Sequence, residues 1–146
     1  MDMAQRKPMT LAEFFAWEER QELRYEFCGL QPVGMTGGTS GHDRISFNLR
    51  KALDARLAGA PCHPHGPNVK IIADSNVRYP DGIVACVPAP VTATIVDNPV
   101  VVFEVLSEGT ANTDLIEKNQ ECRATASIQR YVIVQQMHAE AIVFFR

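Results

Sequence analysis

Two carboxylates stand where apolar sequence gives them no ordinary use. Val100-Val-Val-Phe-Glu-Val-Leu106 is a continuous apolar run with Glu104 inside it, the pattern of a strand buried on both faces. An isolated carboxylate there is costly, so it must be paired, protonated or metal-bound. Upstream, Tyr79-Pro-Asp-Gly-Ile-Val-Ala-Cys-Val87 places Asp81 at the start of another apolar strand. Each has a plain alternative: Pro-Asp-Gly is a common turn, and Glu104 reads equally as a salt-bridged core residue. On neighbouring strands, however, the two carboxylates could converge on one cation. Two carboxylates with a backbone carbonyl and water suit Mg²⁺ or Mn²⁺, which prefer oxygen ligands.

A third candidate pair is Asp114 and Lys118, at i, i+4 on one helical face. As a surface ion pair it is worth about 0.3–0.5 kcal/mol. As a functional pair it delivers an ammonium to an anionic transition state near the Glu104 strand.

The elements that must position these groups follow from periodicity and turn chemistry. Thr10-Leu-Ala-Glu13 is a capping box that opens a helix running to about Glu22, anchored by Leu11, Phe14, Phe15 and Trp17. Strands are expected at Arg24–Cys28 and Gln31–Met35, turning at Gly29. The Gly-rich segment from Thr36 to Gly41 leads into a second helix over His42–Leu57, with Ile45, Leu49, Leu53 and Leu57 at helical spacing. Strand signals then crowd over Val69–Ala73, Arg78–Val87 and Val100–Leu106. A third helix spans Thr113–Thr125, and strands Arg130–Val134 and Ala139–Phe145 follow. The expected fold is α/β (α+β), a mixed sheet flanked by helices, in a single domain over residues 1–146.

Composition narrows the function classes. The chain has 146 residues, 46% of them hydrophobic and 21% charged, with a net charge of -3. These are the fractions of an ordinary globular domain, with no basic field to announce a nucleic-acid coat protein. No apolar stretch approaches the roughly 20 residues of a membrane span, and the N-terminus lacks a signal-peptide h-region. A cytoplasmic, reducing location is the expectation, with Cys28, Cys62, Cys86 and Cys122 reduced, since no CxxC spacing occurs. Cys62-His-Pro-His65 lacks a second ligand pair for zinc and reads as a proline-shaped turn. No nucleophile elbow is present. The Gly37–Gly41 segment lacks the lysine of a P-loop. His42, at the helix start, either caps the turn or touches a nucleic-acid backbone.

Taken together, Tyr79-Pro-Asp81, Val102-Phe-Glu104-Val-Leu-Ser107, Thr110, Asp114 and Lys118 resemble the Uma family of restriction-endonuclease-like proteins, in the PD-(D/E)XK nuclease superfamily. The resemblance extends to Met9-Thr-Leu-Ala-Glu-Phe, to Arg24-Tyr-Glu26 with Gly29, to the turn before His42, and to Arg130-Tyr-Val-Ile-Val. It implies a restriction-endonuclease-like core that hydrolyses DNA phosphodiesters with Mg²⁺ or Mn²⁺. Asp81 and Glu104 would be the metal carboxylates and the Val105 backbone carbonyl a third ligand. Glu26 would be an accessory acid, with Asp114 and Ser107 as supporting residues. The superfamily's usual lysine, two residues after the glutamate, is Leu106 here. The resemblance implies that Lys118 takes its place from the helix, which makes Asp81, Glu104 and Lys118 the catalytic set.

Two functions are carried forward. The first is a metal-dependent endonuclease acting on DNA, working as a homodimer. The second is a non-catalytic nuclease-fold module that binds nucleic acid or a partner as a dimer. The end of the chain at Arg146, earlier than in relatives, leads to the expectation of an uncovered apolar sheet edge near Val143–Phe145, where a second copy could pair.

Overall fold

A computed structural model describes residues 7–35 and 37–146. Thr36, within the expected Gly-rich turn, lies outside the described residues.

The first helix, α1 (Leu11–Glu18), begins as its capping box dictates. Thr10 Oγ1 accepts from the Glu13 amide at 3.2 Å, and Glu13 Oε2 accepts from the Thr10 amide at 2.9 Å. It stops earlier than the expected Glu22, at Glu18, whose side chain turns inward. There its carboxylate takes the Lys70 ammonium at 2.6 Å, the Tyr79 hydroxyl at 2.6 Å and the Tyr25 amide at 3.2 Å.

Two strands, β1 (Tyr25–Cys28) and β2 (Gln31–Gly34), form a hairpin around Gly29 and Leu30, both at positive φ, as a two-residue primed turn requires. A second such hairpin joins β4 (Ile71–Ala73) to β5 (Asn76–Arg78) through Asp74 and Ser75. The four strands make an antiparallel sheet in the order β2-β1-β5-β4. Phe14 from α1 stacks on Phe27 at 4.8 Å and, with Val77, forms a small core on this sheet.

The other sheet is mixed and has five strands, ordered β3-β6-β7-β8-β9: β3 (His63–His65), β6 (Gly82–Ala85), β7 (Pro99–Val105), β8 (Arg130–Val134) and β9 (Ala141–Phe145). Its parallel pair is β7 with β8, joined through a π-helical turn (Thr113–Glu117) and α3 (Lys118–Ala124). The long helix α2 (Ser40–Leu57) packs against β3, β6 and β7, capped by Thr39, whose Oγ1 accepts from the His42 amide at 3.1 Å. The main core gathers Ile71, Ile83, Val102, Ile128, Tyr131 and Ile133 under α3.

Three expectations need correction. The run Arg78–Val87 is not one strand. Pro80 has no N–H to give to a ladder and separates β5 in one sheet from β6 in the other, so the fold holds two sheets rather than one. Cys62-His-Pro-His65 is not a turn but runs into the edge strand β3, where Pro64 is tolerated. The four cysteines are not all reduced. His63 pairs with Ala85, which brings Cys62 and Cys86 opposite one another, and the two form a disulfide. Cys86 is half-buried and lies just past the end of β6, not within it. The bond removes the cysteine argument for a reducing compartment. Cys28 and Cys122 are free thiols, and burial pushes Cys122 up to about 12, which leaves it unreactive. No helix among the described residues is long and apolar enough to cross a membrane.

Candidate metal centre and its lysine

The joint between the two sheets places Asp81. Released from β5 by Pro80, the chain turns and enters β6, where Gly82 pairs with Phe103 of β7. A Cβ at Gly82 would lie 3.2 Å from the Phe103 Cβ and 3.5 Å from Leu49 of α2, so glycine lets three elements close up at this point. One residue outward from the Gly82–Phe103 pair stand Asp81 and Glu104, at the adjoining positions of neighbouring strands. Asp81 Oδ2 accepts the Val105 amide at 2.7 Å, which fixes its carboxylate beside the β7 backbone. Both residues are buried, Asp81 at 9% and Glu104 at 5% exposure.

Glu104 is not a simple core salt bridge. Its Oε1 takes the Lys118 ammonium at 3.1 Å, and Lys118 reaches Asp114 Oδ1 at 2.9 Å on its other side. Asp114 and Lys118 are themselves buried, so the surface-pair reading is excluded. The π-helical turn carries Asp114 inward, where its other oxygen accepts from the Thr110 hydroxyl at 2.9 Å. Thr110 in turn shares a hydrogen bond of 2.7 Å with Ser107, while Tyr131 donates to the Asp114 carbonyl at 2.8 Å. Ser107 therefore supports Asp114 through Thr110.

Electrostatics follow from the burial. Desolvation, reinforced by Asp81, Asp114 and Glu26, raises Glu104 well above the usual carboxylate range, while Lys118 opposes the shift. Burial alone would lower Lys118, but Glu104, Glu26 and Asp114 outweigh it and hold the ammonium above its ordinary value. The two directions describe one pair: Lys118 keeps its proton, and Glu104 resists becoming an anion among other anions.

Glu26 lies close enough to act on both, and it is not a free surface residue. Its Oε2 accepts the Tyr79 amide at 3.0 Å and its Oε1 faces Arg78 at 3.4 Å. Two further residues join the site: His42, singled out in the sequence as a turn cap or nucleic-acid contact but not as a partner of Asp81, and Arg78, which was not singled out. His42 reaches Asp81 Oδ2 from α2 at 3.2 Å, and Arg78 is buried among Glu26, Glu117 and Glu121. The sequence signal for His42 was only its position at a helix start after glycines. For Arg78 it was only that the residue adjoins Tyr79-Pro-Asp81.

The donor set suits a hard cation. Asp81 commits Oδ2 to Val105 and His42, and Glu104 commits Oε1 to Lys118, so the second oxygen of each is the one that would hold an ion. Among the described residues no group of three or more His, Cys, Asp and Glu side chains forms a protein cage. Two carboxylates completed by the Val105 carbonyl and water is the arrangement Mg²⁺ accepts, since it keeps several waters. It does not suit structural zinc.

Comparison with known proteins agrees with this architecture. A crystal structure described as a putative nuclease belonging to DUF820, from Anabaena variabilis ATCC 29413, superimposes with a TM-score of 0.72 at 15% identity, covering 95% of this chain and 86% of that one. The fold is thus restriction-endonuclease-like. Two uncharacterized proteins of Synechocystis sp. (strain PCC 6803) are similar in sequence. One is 29% identical over 137 residues (92% of this chain, 72% of that protein), and the other 28% identical over 141 residues (93% and 80%). The model of the family described as "Uma2: Putative restriction endonuclease" matches residues 11–146, and the chain belongs to that family.

Proposed function

We propose that the protein is a metal-dependent endonuclease hydrolysing phosphodiester bonds in DNA, with Mg²⁺ or Mn²⁺ held by Asp81, Glu104 and the Val105 carbonyl. The observation that carries this reading is the buried Asp81–Glu104 pair with one ammonium, Lys118, against it. These three belong to a cluster in which six carboxylates (Glu26, Asp81, Glu104, Asp114, Glu117 and Glu121) share two permanent cations, Arg78 and Lys118. A core assembled for stability alone gains nothing from that imbalance. A divalent cation offsets it.

When bound, the ion would supply an activated water at neutral pH and a positive charge against the scissile phosphate. The protein's own residues do the rest. Asp81 is held by the Val105 amide and by His42 through Oδ2, and its other oxygen would hold the ion. Lys118, fixed between Glu104 and Asp114, presents a preformed positive charge to the phosphoryl oxygens as negative charge accumulates there. It stands in for the lysine that Leu106 replaces. The Ser107–Thr110–Asp114 chain keeps Lys118 aimed. A cleft of about 680 Å³ lies between α2 and the β8–β9 turn, lined by Asn48, Gln135, Gln136, Met137 and His138 among others. Gln136 donates to the carbonyl of Leu106, two residues after Glu104, at 3.2 Å.

The test is cleavage of supercoiled plasmid with Mn²⁺ or Mg²⁺, comparing wild type with Asp81→Ala and Glu104→Ala. Metal-dependent nicking by wild type alone supports the reading. DNA binding with no cleavage under either metal would assign the chain instead as a non-catalytic nuclease-fold module.

A further inference from the structure

Arg78 ends β5, three residues before Asp81, and Glu121 lies three residues after Lys118 on α3. The two meet as a buried fork. Arg78 Nε donates to Glu121 Oε2 at 2.9 Å and Nη2 to Oε1 at 2.6 Å, with both residues at 5% exposure or less. Asn76 on the same strand adds a bond to Glu121 Oε1 at 2.8 Å. On its other side the guanidinium faces Glu26 Oε1 at 3.4 Å, and Glu26 Oε2 accepts the Tyr79 amide at 3.0 Å, two residues before Asp81. One side chain thus joins β1, the joint that carries Asp81, and the helix that carries Lys118.

The fork matters because it adds directional restraint to a helix that is otherwise held by the packing of Cys122 in the core and by single contacts such as Lys118 to Glu104. That helix, α3, is seven residues long and follows a π-helical turn, so its register is not inherited from a long regular helix. A planar bidentate pair fixes both the distance and the angle between its partners, which a single ammonium contact cannot do. Rotation of α3 that moved Lys118 off Glu104 would break both bonds of the fork.

We infer that Arg78 is a positioning residue: its fork with Glu121 sets the helix that holds the Lys118 ammonium against Glu104, and so aligns the two halves of the site. The consequence for cleavage rests on the proposed nuclease activity; the geometric claim does not, and the experiment separates them. In wild type the Lys118 Nζ resonance is expected to be observable by ¹⁵N NMR, because the ammonium is shielded from water and held by two carboxylates. In Arg78→Lys, which keeps the charge and loses the fork, that resonance should broaden or vanish. There kcat should fall on the order of 10²-fold, as for a misplacement near 1 Å, with KM and Mn²⁺ affinity within about threefold of wild type. Phe14→Leu, a core truncation under α1 on the opposite face of the sheet from Arg78, beside Phe27 and Val77, should cost comparable melting temperature and leave kcat and the resonance unchanged. An Arg78→Lys protein with wild-type kcat, or one that loses kcat while the Lys118 resonance is undisturbed, overturns the inference. Should Arg78→Lys fail to fold, Glu121→Gln, which keeps one accepting oxygen, carries the same comparison. If wild type cuts no DNA, the proposed activity fails by itself and the resonance still decides the clamp.

Discussion

Replacing Lys118 with alanine separates a structural from a catalytic role for the buried ammonium. Lys118 is bonded to Glu104 at 3.1 Å and to Asp114 at 2.9 Å, and is 8% exposed. Its loss leaves two buried carboxylates facing each other with Asp81 nearby. Removing one partner of a buried ion pair costs about 3–5 kcal/mol. At roughly 2–4 °C per kcal/mol for a chain of this size, the metal-free Lys118→Ala protein should melt on the order of 10 °C below wild type. Mn²⁺ should restore much of that loss, because the cation offsets the same carboxylates, so metal affinity should be retained or increased. Cleavage should not return. Loss of one preorganised charge at the scissile group costs about 10²–10³ in rate. The assay is a melting curve with and without Mn²⁺, run beside plasmid nicking at saturating metal and a temperature where the variant is folded. A Lys118→Ala protein that nicks DNA at the wild-type rate would falsify the catalytic assignment of Lys118.

The remaining expectations are briefer. Because Glu104 titrates above the ordinary carboxylate range, the folded metal-free protein binds a proton there that the unfolded chain has released. Stability from this group is therefore present at acid pH and lost as pH rises through its folded pKa. Binding of Mn²⁺ must displace that proton, so calorimetric affinity should climb with pH and then level, and a flat profile would contradict the shift. Reduction of Cys62–Cys86, which closes a 24-residue separation, should cost about 3 kcal/mol of stability; melting with and without dithiothreitol measures it, and an unchanged melting temperature would exclude the bond in solution. His42→Ala removes a 3.2 Å contact to Asp81 and should lower Mn²⁺ affinity several-fold without abolishing it, as calorimetry would read; unaltered affinity would make His42 only a part of the helix start. The edge strand β9 exposes Val143 and Phe145, and it pairs with β8 on one side. Light scattering should report a dimer that Phe145→Lys weakens, and a monomer at high concentration would count against pairing through this edge.

The residues most legible in the sequence were those that break a local rule. Glu104 inside Val-Val-Val-Phe-Glu-Val-Leu could be singled out from seven residues of context, and the structure buries it. Asp114 and Lys118 showed their shared face but left open whether it lies on the surface or turns toward the Glu104 strand, because a helix reveals its spacing and not its neighbours. Hairpin β1–β2 followed from Gly29, whereas the turn at Asp74 and Ser75 has no glycine and hid the start of β5. The split into two sheets depends on Pro80, whose effect could have been a turn within one sheet. Least legible were the contacts that cross the chain. His42 lies far in sequence from Asp81, Arg78 from Glu121, and Cys62 from Cys86; each pairing depends on strand order and packing, which no local pattern records.

The central claim, that Asp81 and Glu104 form a divalent-metal site, is tested most directly by thermal denaturation with Mn²⁺. A ligand at 100 times its dissociation constant stabilises by about 2.7 kcal/mol, roughly 8 °C here at 2–4 °C per kcal/mol. Wild type should show that rise, and Asp81→Ala should show none. An equal Mn²⁺ shift in both proteins, or none in wild type at millimolar Mn²⁺, would contradict it.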